Sequence, residues 1–399
     1  MVGPTFRERA GPSKAFGLRR KPKVSKKTGR ASASANKLTL IFRFVNRNGQ
    51  AIGNVVENMS NDVILVTGSE TAPVDFLVVG AGLAGLAFAQ DVQAQGATVR
   101  LLDKARGLGG RAATRRLEGA RADHGAQFFT ARNDRFREIA ERGVRDGWNA
   151  VWSNGFPLFK NGAIQERPSG HPRYAPLPGM NELPKRLGVG LNVTTGATVV
   201  QIERSENGVY TARTDNGLSF AGRSLILNLP PVQLLALGAP LLQESDRSSV
   251  SDVRLDPAWT LILRLDSDLP GANWPALEYE NHPVLYWVSR DHTKREPGSP
   301  PVVVVHGSGA WSTVHLEDAK EDVQAALLAA LNETVGPVPA VREAQTHRWR
   351  YSQPTRPLGR PCLWDKERRI GACGDWCDGA RVEGAVQSGW ALAGTVLAS

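Results

Sequence analysis

The sequence predicts an α/β fold: a βαβ unit on a parallel sheet, joined to a second α+β unit on a mixed or antiparallel sheet. Three observations predict it. An apolar run at Phe76–Val79 leads into a glycine-spaced turn and a small-residue helix over Leu83–Gln95. A second apolar run, Val99–Leu102, follows Gly96 and ends on Asp103. Beyond residue 190 the pattern changes to short alternating strands with Asn-Gly turns, a longer amphipathic helix and a closing strand–helix pair.

Gly80, Gly82 and Gly85 stand at GxGxxG spacing between the two strands. Each has a job in a dinucleotide-binding turn. Gly80 makes the tight turn, Gly82 lets the backbone approach a pyrophosphate, and Gly85 lets helix and strand pack closely. The helix amino end offers free N–H groups and the positive end of a dipole to phosphate. Asp103 can accept hydrogen bonds from an adenosine ribose, and an acid there disfavours a 2′-phosphate. The unit is therefore Rossmann-type, for FAD or NAD. Its candidate cofactor residues are Gly80, Gly82, Leu83, Ala84, Gly85, Asp103 and Lys104. A glycine-rich turn in an ordinary βαβ unit is the alternative.

The chain of 399 residues is long enough for two domains with sizeable cores. No apolar run approaches the roughly 18 residues of a membrane span. Cys362, Cys373 and Cys377 are the three cysteines, which argues for a reducing compartment and against a disulfide framework. They lack metal-ligand spacing, so no metal site is read. The net charge of +10 is concentrated at the start: residues 1–72 hold 13 Lys/Arg against 4 Asp/Glu, and the rest hold 36 against 35. Residues 1–72 read as a basic, disordered leader with short strands conceivable at Leu38–Val45 and Ala51–Val56. An organelle transit peptide, a contact for nucleic acid or anionic lipid, and an upstream start ahead of Met59 stay open as its meaning. The near-neutral body predicts no nucleic-acid partner for 73–399; the cysteine usage predicts a cytoplasmic location, with organelle import through the leader open, and the lack of a long apolar run predicts no transmembrane segment.

Lys104–Thr114 carries Gly107, Gly109 and Gly110 with Arg106 and Arg111. Such a loop can wrap a diphosphate, with Arg111 as a bidentate fork; a solvated basic loop is the alternative. Ala122–Thr130 brings Gly125, Ala126 and Gln127. Asn133–Gly143 reads as a helix and Val151–Phe159 as a strand. A Pro/Gly turn then leads to a short helix capped by Asn181. Val193–Ile202, Val209–Thr214 and Ser224–Leu229 read as strands, and Pro230-Pro231 as a crossover. Thr260–Leu265, Pro301–His306 and His347–Tyr351 read as strands of the second unit. Leu316–Asn332 reads as a helix with Glu317, Asp318, Glu321 and Asp322 in its first turns. A last helix starts near Glu383. The expected division is 73–160, 191–231 and 356–399 for the first unit, and 161–190 and 232–355 for the second.

Together, the GAGLAGL turn, the ribose acid, GLGGR, ADHGAQF and the closing GD…EGAVQSG helix resemble the flavin-dependent amine-oxidase superfamily. The second unit is most similar to the renalases and their bacterial relatives. Gly179–Leu187 after Ala175-Pro176, Trp287–Arg295, His315–Gln324 and His347–Gln353 carry that likeness. It covers about 75–399.

The resemblance implies noncovalent FAD. It implies Gly110 and Arg111 near the pyrophosphate and Val199 against the adenine. Gly374 and Asp375 would lie by the ribityl and phosphate groups, with Glu383, Gly384, Ala385 and Val386 at the isoalloxazine. There a helix amino end would stabilise the reduced ring. It further implies oxidation of 2- or 6-dihydro-NAD(P) isomers by hydride transfer to flavin N5, with O2 as acceptor and H2O2 as product. Gln127, His292, Trp349 and Tyr351 are the candidate substrate contacts, Gln127 being also a candidate cofactor contact. For the aromatic pair, core packing is the alternative. A flavin-containing amine oxidase acting on a small amine is a second reading; Trp376 and Trp390 could then be mistaken for its aromatic cage. A desaturase of carotenoid or porphyrin type is a third, and a noncatalytic FAD-binding protein recruited by its leader is a fourth.

Overall fold

The computed structural model describes residues 72–399, together with the backbone of strands Thr39–Val45, Ala51–Asn58, Ile64–Thr67 and the start of Glu70–Val79. Residues 1–38 of the expected leader lie outside the described residues. Thr39–Val45 and Ala51–Asn58 pair antiparallel, and Ile64–Thr67 continues to the edge of the first sheet beside Asn192–Thr195.

That sheet is built on a parallel centre. Glu70–Val79 lies between Val99–Asp103 and Ser219–Leu227, with Asn192–Thr195 outside the former and Ile370–Ala372 beside the latter. Val79 is level with Leu102 and Leu227, Leu227 with Ala372, and Asp103 with Thr195. The carboxyl ends therefore converge on Gly80, Asp103, Gly196, Asn228 and Cys373. Ligands of open α/β sheets bind outside this end. Tyr210–Thr214 and Val199–Arg204 complete the sheet antiparallel.

Apolar strands with both faces buried need cover on both sides. Helix Leu83–Ala94 covers one face, and the closing helix Val382–Leu397 packs on it. A Cβ on Gly389 would collide with the Ala84 carbonyl, so only glycine permits this approach. Leu183 and Leu187 of helix Glu182–Leu187 join the same core, within the 161–190 stretch expected in the second unit. Leu234, Leu242 and Val250 cover the other face, within the expected 232–355 stretch.

The second sheet runs Ala163–Gln165, Leu158–Lys160, Ala276–Tyr279, Leu285–Arg290, Val302–Gly307, Arg254–Leu265, Val341–Arg356. It is mixed: Leu158–Lys160 meets Ala276–Tyr279 in parallel and the other pairs are antiparallel. Helix Lys320–Val335 buries Val323, Leu327 and Leu331 on one face, against Trp259, Leu261 and Leu263. On the other face lies the hairpin Thr114–Leu117 and Ala120–Asp123, whose Leu117 and Ala122 meet Ile262, Val302 and Val304. The glycine loop that follows Asp103 thus runs into the hairpin that packs on the second sheet.

Several elements differ from expectation. The strand expected over Val193–Ile202 is broken at Gly196, whose φ of 66° takes the chain from the sheet centre to its far edge. The one expected over Val151–Phe159 divides into Asn149–Ser153 and Leu158–Lys160, in different sheets. Buried Phe156 and Pro157 separate them. The helix expected from Leu316 starts at Lys320. Glu317 is drawn out to Arg348 and Arg350, and Asp318 holds His315 Nδ1 at 2.7 Å. Asn181 heads Glu182–Leu187 but does not cap it with its side chain; its N–H donates to Thr114 Oγ1 at 3.2 Å.

Candidate active site

Gly80 turns the chain with φ +102°, a conformation that glycine adopts without penalty. A Cβ there would strike the Asn228 carbonyl. Asn228 Nδ2 donates to Gly80 O at 3.1 Å and lies against Gly82 and Gly85. The second glycine loop docks on the first: Gly109 N–H donates to Ala81 O at 2.8 Å, and Gly82 bridges Gly109. A Cβ on Gly110 would stand 4.0 Å from Gly82 Cα. Leu83 and Ala84 turn their side chains into the core, leaving their backbone at the cradle. No side chain caps this helix, so its amino end is free for an anion.

Asp103 Oδ2 accepts from Ala81 N–H and Oδ1 from Ala105 N–H, each at 2.7 Å. Burial raises its carboxyl above the usual range, against these two bonds. Lys104 beside it is exposed. Ala197 N–H donates to Asp103 O at 2.8 Å, bringing Val199 alongside. The donors and bare glycine backbone fit the adenosine diphosphate half of FAD.

Arg111 crosses to the other half. Its Nη2 pairs with Asp375 Oδ1 at 2.6 Å and its Nη1 donates to Ser352 O at 2.7 Å. One guanidinium so ties the glycine loop, the closing segment and strand Val341–Arg356. Gly374 N–H donates to Ser388 Oγ at 3.0 Å. Gly384 has no room for a Cβ beside the Gly379 carbonyl. Ala385 N–H already donates to Arg381 O, and Val386 is core. Glu383 is buried and does not face outward: its Oε1 accepts Arg132 N–H at 2.7 Å and Asn133 N–H at 2.6 Å. What this segment offers a flavin is backbone and the uncapped amino end of Val382–Leu397.

Around Ala122–Thr130 a polar cluster joins the two sheets. Asp123 and Asp291 are fully buried and shared by two cations. Lys294 Nζ lies 2.6 Å from Asp291 and 3.4 Å from Asp123; Arg295 Nη2 lies 2.7 Å from Asp123 and 2.9 Å from Asp291. The two charges of each sign cancel, and the Arg295 and Lys294 charges hold the Asp123 carboxyl low despite its burial.

Gln127 is saturated by protein. Its Oε1 accepts from Ser289 Oγ at 2.8 Å and Lys294 Nζ at 3.1 Å. Its Nε2 meets Asp123 O, Gly125 O and His306 Nε2. Gln127, expected as a substrate or cofactor contact, has its amide bound within the protein, where it braces the strand. His292, expected as a substrate contact, is likewise held by protein groups. Asp268 Oδ2 holds its Nε2 at 3.1 Å, and its Nδ1 lies 3.2 Å from both Val302 N and O.

Trp349 does reach the cluster. Its Nε1 donates to His124 O at 2.8 Å, and its ring stacks on His124 at 5.3 Å. His347 closes edge-on at 4.9 Å from His124 and 4.3 Å from Trp349. Burial pushes His124 and His306 down to about 3 and His347 to about 4, with Arg115 adding at His124 and His347 and Lys294 at His306. All three rings are neutral at pH 7. Tyr351 is half-buried where the pairing of Arg254–Leu265 with Val341–Arg356 slips. Trp376 and Trp390 belong to different cores and form no cage. A separate group of rings, Phe128, Trp152, Phe156 and Trp287, lies beyond Gln127, with Lys294 Nζ 4.7 Å over Trp152.

Sequence reasoning missed Asn228, Asp291, Lys294, Arg115, His124 and His306. A polar residue closing the apolar strand Ser224–Leu229 was a signal for Asn228. The Asp291, Lys294, Arg295 spacing was one for the ion cluster.

The glycine turns at the carboxyl ends of the parallel strands make a Rossmann-like dinucleotide fold, Arg111 ties it to the closing segment through Asp375, and the hairpin that follows packs on the second sheet. A family model described as NAD(P)-binding Rossmann-like domain matches residues 78–142, and one described as Flavin containing amine oxidoreductase matches 146–397. The chain belongs to the flavin-containing amine oxidoreductase family. A Mycobacterium tuberculosis protein named "Putative flavin-containing monoamine oxidase AofH" is 37% identical over 98 residues, 23% of this chain and 22% of that protein. The aligned stretch is thus a minor part of that relative. The fold matches the crystal structure titled "Putative protoporphyrinogen oxidase from Exiguobacterium sp. 255-15" with TM-score 0.66 and 15% identity, covering 83% of this chain and 100% of that one. It matches cyclohexylamine oxidase from Brevibacterium oxydans with TM-score 0.63 and 14% identity, over 81% and 98%. Among the described residues no helix is long and apolar enough to cross a membrane.

Proposed function

We propose that the protein oxidises a dihydronicotinamide dinucleotide, reduced at C2 or C6 of the ring, to the aromatic pyridinium. The charge of the site carries this reading. Its two buried carboxylates are neutralised by Lys294 and Arg295, its three imidazoles are neutral, and Arg115 adds a cation. An ammonium substrate finds no free carboxylate among these residues, whereas an anionic dinucleotide meets a favourable field.

When bound, FAD would supply the two-electron acceptor for the hydride, and O2, taking both electrons with two protons, would leave as H2O2. Aromatisation drives the step, so no general base is required. The protein's work is then placement. Gln127, itself held by Lys294, binds the Gly125 carbonyl, Trp349 and His124 provide a flat neutral wall, and helix Val382–Leu397 offers an uncapped amino end.

A second reading, oxidation of an amine, is favoured by the four-ring group at Phe128, Trp152, Phe156 and Trp287, and by the family. Borohydride-reduced NAD+, which holds the 2-, 4- and 6-dihydro isomers, separates the two. Anaerobic mixing should bleach the flavin while only the 2- or 6-isomer is consumed. Bleaching by the 4-isomer alone, or by amines alone, would overturn the proposal.

A further inference from the structure

Arg115 is the one cation of this cluster left without a carboxylate among the described residues. Arg111 has Asp375, and Arg295 has Asp123 and Asp291. Arg115 sits on the hairpin strand Thr114–Leu117, paired opposite Ala122. Among the described residues, the one hydrogen bond of its guanidinium goes from Nη2 to His347 Nδ1, at 3.2 Å. Its Nε is shielded from solvent and has no partner.

The acids carried by neighbouring elements are engaged elsewhere. Glu317 binds Arg348 and Arg350, and Glu118 lies toward Arg264. Glu343 receives the Glu118 N–H on Oε2 and Gln345 Nε2 on Oε1. The imidazole does not balance the charge. A guanidinium only donates, so His347 Nδ1 accepts and its proton resides on Nε2. Lys320 adds further positive field at His347.

A half-buried guanidinium that faces only a neutral ring is costly in an apo protein. An anion would complete it. His347 stacks edge-on against Trp349 and His124, so the open donors lie beside the wall where the reacting ring would rest. We propose that Arg115, braced by His347, is an anion subsite that binds a phosphate of the dinucleotide substrate. This rests on the dihydronicotinamide reading and adds to it the group that holds the substrate's non-reacting end.

The test uses full-length holoenzyme and unreactive product ligands: nicotinamide riboside, its 5′-monophosphate, NAD+ and NADP+. Binding is read from flavin absorbance and by calorimetry. Arg115→Gln should weaken every phosphate-bearing ligand about tenfold or more while leaving the riboside within about twofold. Arg115→Lys should recover part of the loss, and Arg116→Gln, at the exposed neighbour, should change nothing. A loss confined to NADP+ assigns the 2′-phosphate; a loss shared by the monophosphate assigns the 5′-phosphate. Equal weakening of the riboside overturns the subsite. So does a fall in FAD retention on ultrafiltration with unchanged ligand binding, which would assign Arg115 to the cofactor. If wild type binds none of the four, the dihydronicotinamide reading fails, and inorganic pyrophosphate becomes the probe. Pyrophosphate binding that Arg115→Gln abolishes keeps the anion subsite; no binding removes it.

Discussion

Asn228 and Gly80 fasten the ends of two neighbouring parallel strands to each other. The Asn228 amide donates to Gly80 O at 3.1 Å, and the Asn228 carbonyl fills the space where a Cβ at residue 80 would lie. The Gly80–Gly85 turn, which we propose receives the pyrophosphate, is therefore shaped from outside its own motif. Asn228→Ala removes one hydrogen bond, worth about 1 kcal/mol, and should weaken FAD binding by about fivefold. Fluorescence titration of the apoprotein with FAD checks this. An unchanged affinity would mean that Gly80–Gly85 holds its shape unaided.

Glu383 joins the closing helix to the chain ahead of helix Asp134–Arg145, with one oxygen taking two backbone N–H groups. Glu383→Gln keeps an acceptor oxygen and should cost little. Glu383→Ala leaves both part-buried donors without this acceptor and should cost about 1–3 kcal/mol in urea unfolding, together with a loss of FAD. If both variants behave alike, the carboxylate is not what positions the amino end of Val382–Leu397.

The parallel centre was legible because its signals are local. Phe76–Val79, the three glycines and Asp103 fall within thirty residues, and each residue type has one physical role there. The closing Gly374–Val386 segment was legible only through resemblance, since its contribution is backbone and helix end rather than side chains. The partners of Gln127 and His292 were hidden for a different reason. Gln127 looked free because Ser289, Lys294 and His306, which use up its amide, come from strands and a turn more than 150 residues away. His292 reads as a substrate contact or a satisfied histidine, and its partner Asp268 lies on another segment. A side chain's availability depends on partners supplied by sheet pairing, and pairing between distant strands leaves no trace in local pattern.

Acid should destabilise the fold through its histidines before its carboxylates. His124 and His306 are pushed from 6.5 down to about 3, mainly by burial. Above pH 6.5 neither state binds these protons and their contribution is constant. As pH falls from 6.5 toward 3, the unfolded chain takes up two protons that the folded protein refuses, so stability falls. The steepest slope is about 2.7 kcal/mol per pH unit for two rings. Asp123, whose carboxyl is held low, adds to the loss only below its ordinary value of 3.8. Urea unfolding between pH 7 and about 4.5 isolates the histidines. His306→Asn should lower the slope by about one proton, and an unchanged slope would remove His306 from the account.

Lys294 tests whether the buried ion cluster acts as a unit. Its ammonium is fully buried, shared by Asp291, Asp123 and Gln127 Oε1, and lies over the Trp152 ring. Lys294→Met keeps the stem's packing but leaves two buried carboxylates facing Arg295 alone, so it should destabilise the protein by about 3–5 kcal/mol. Asp291→Asn leaves the opposite excess and should also destabilise. The double variant removes one charge of each sign and restores neutrality, with Arg295 still paired to Asp123 at 2.7 Å. It should therefore be more stable than Lys294→Met, although it carries one more substitution. Urea unfolding of the four proteins closes the cycle. If the double loses the sum of the two singles, Lys294 and Asp291 are uncoupled, and the neutrality from which the anionic substrate was argued loses its basis.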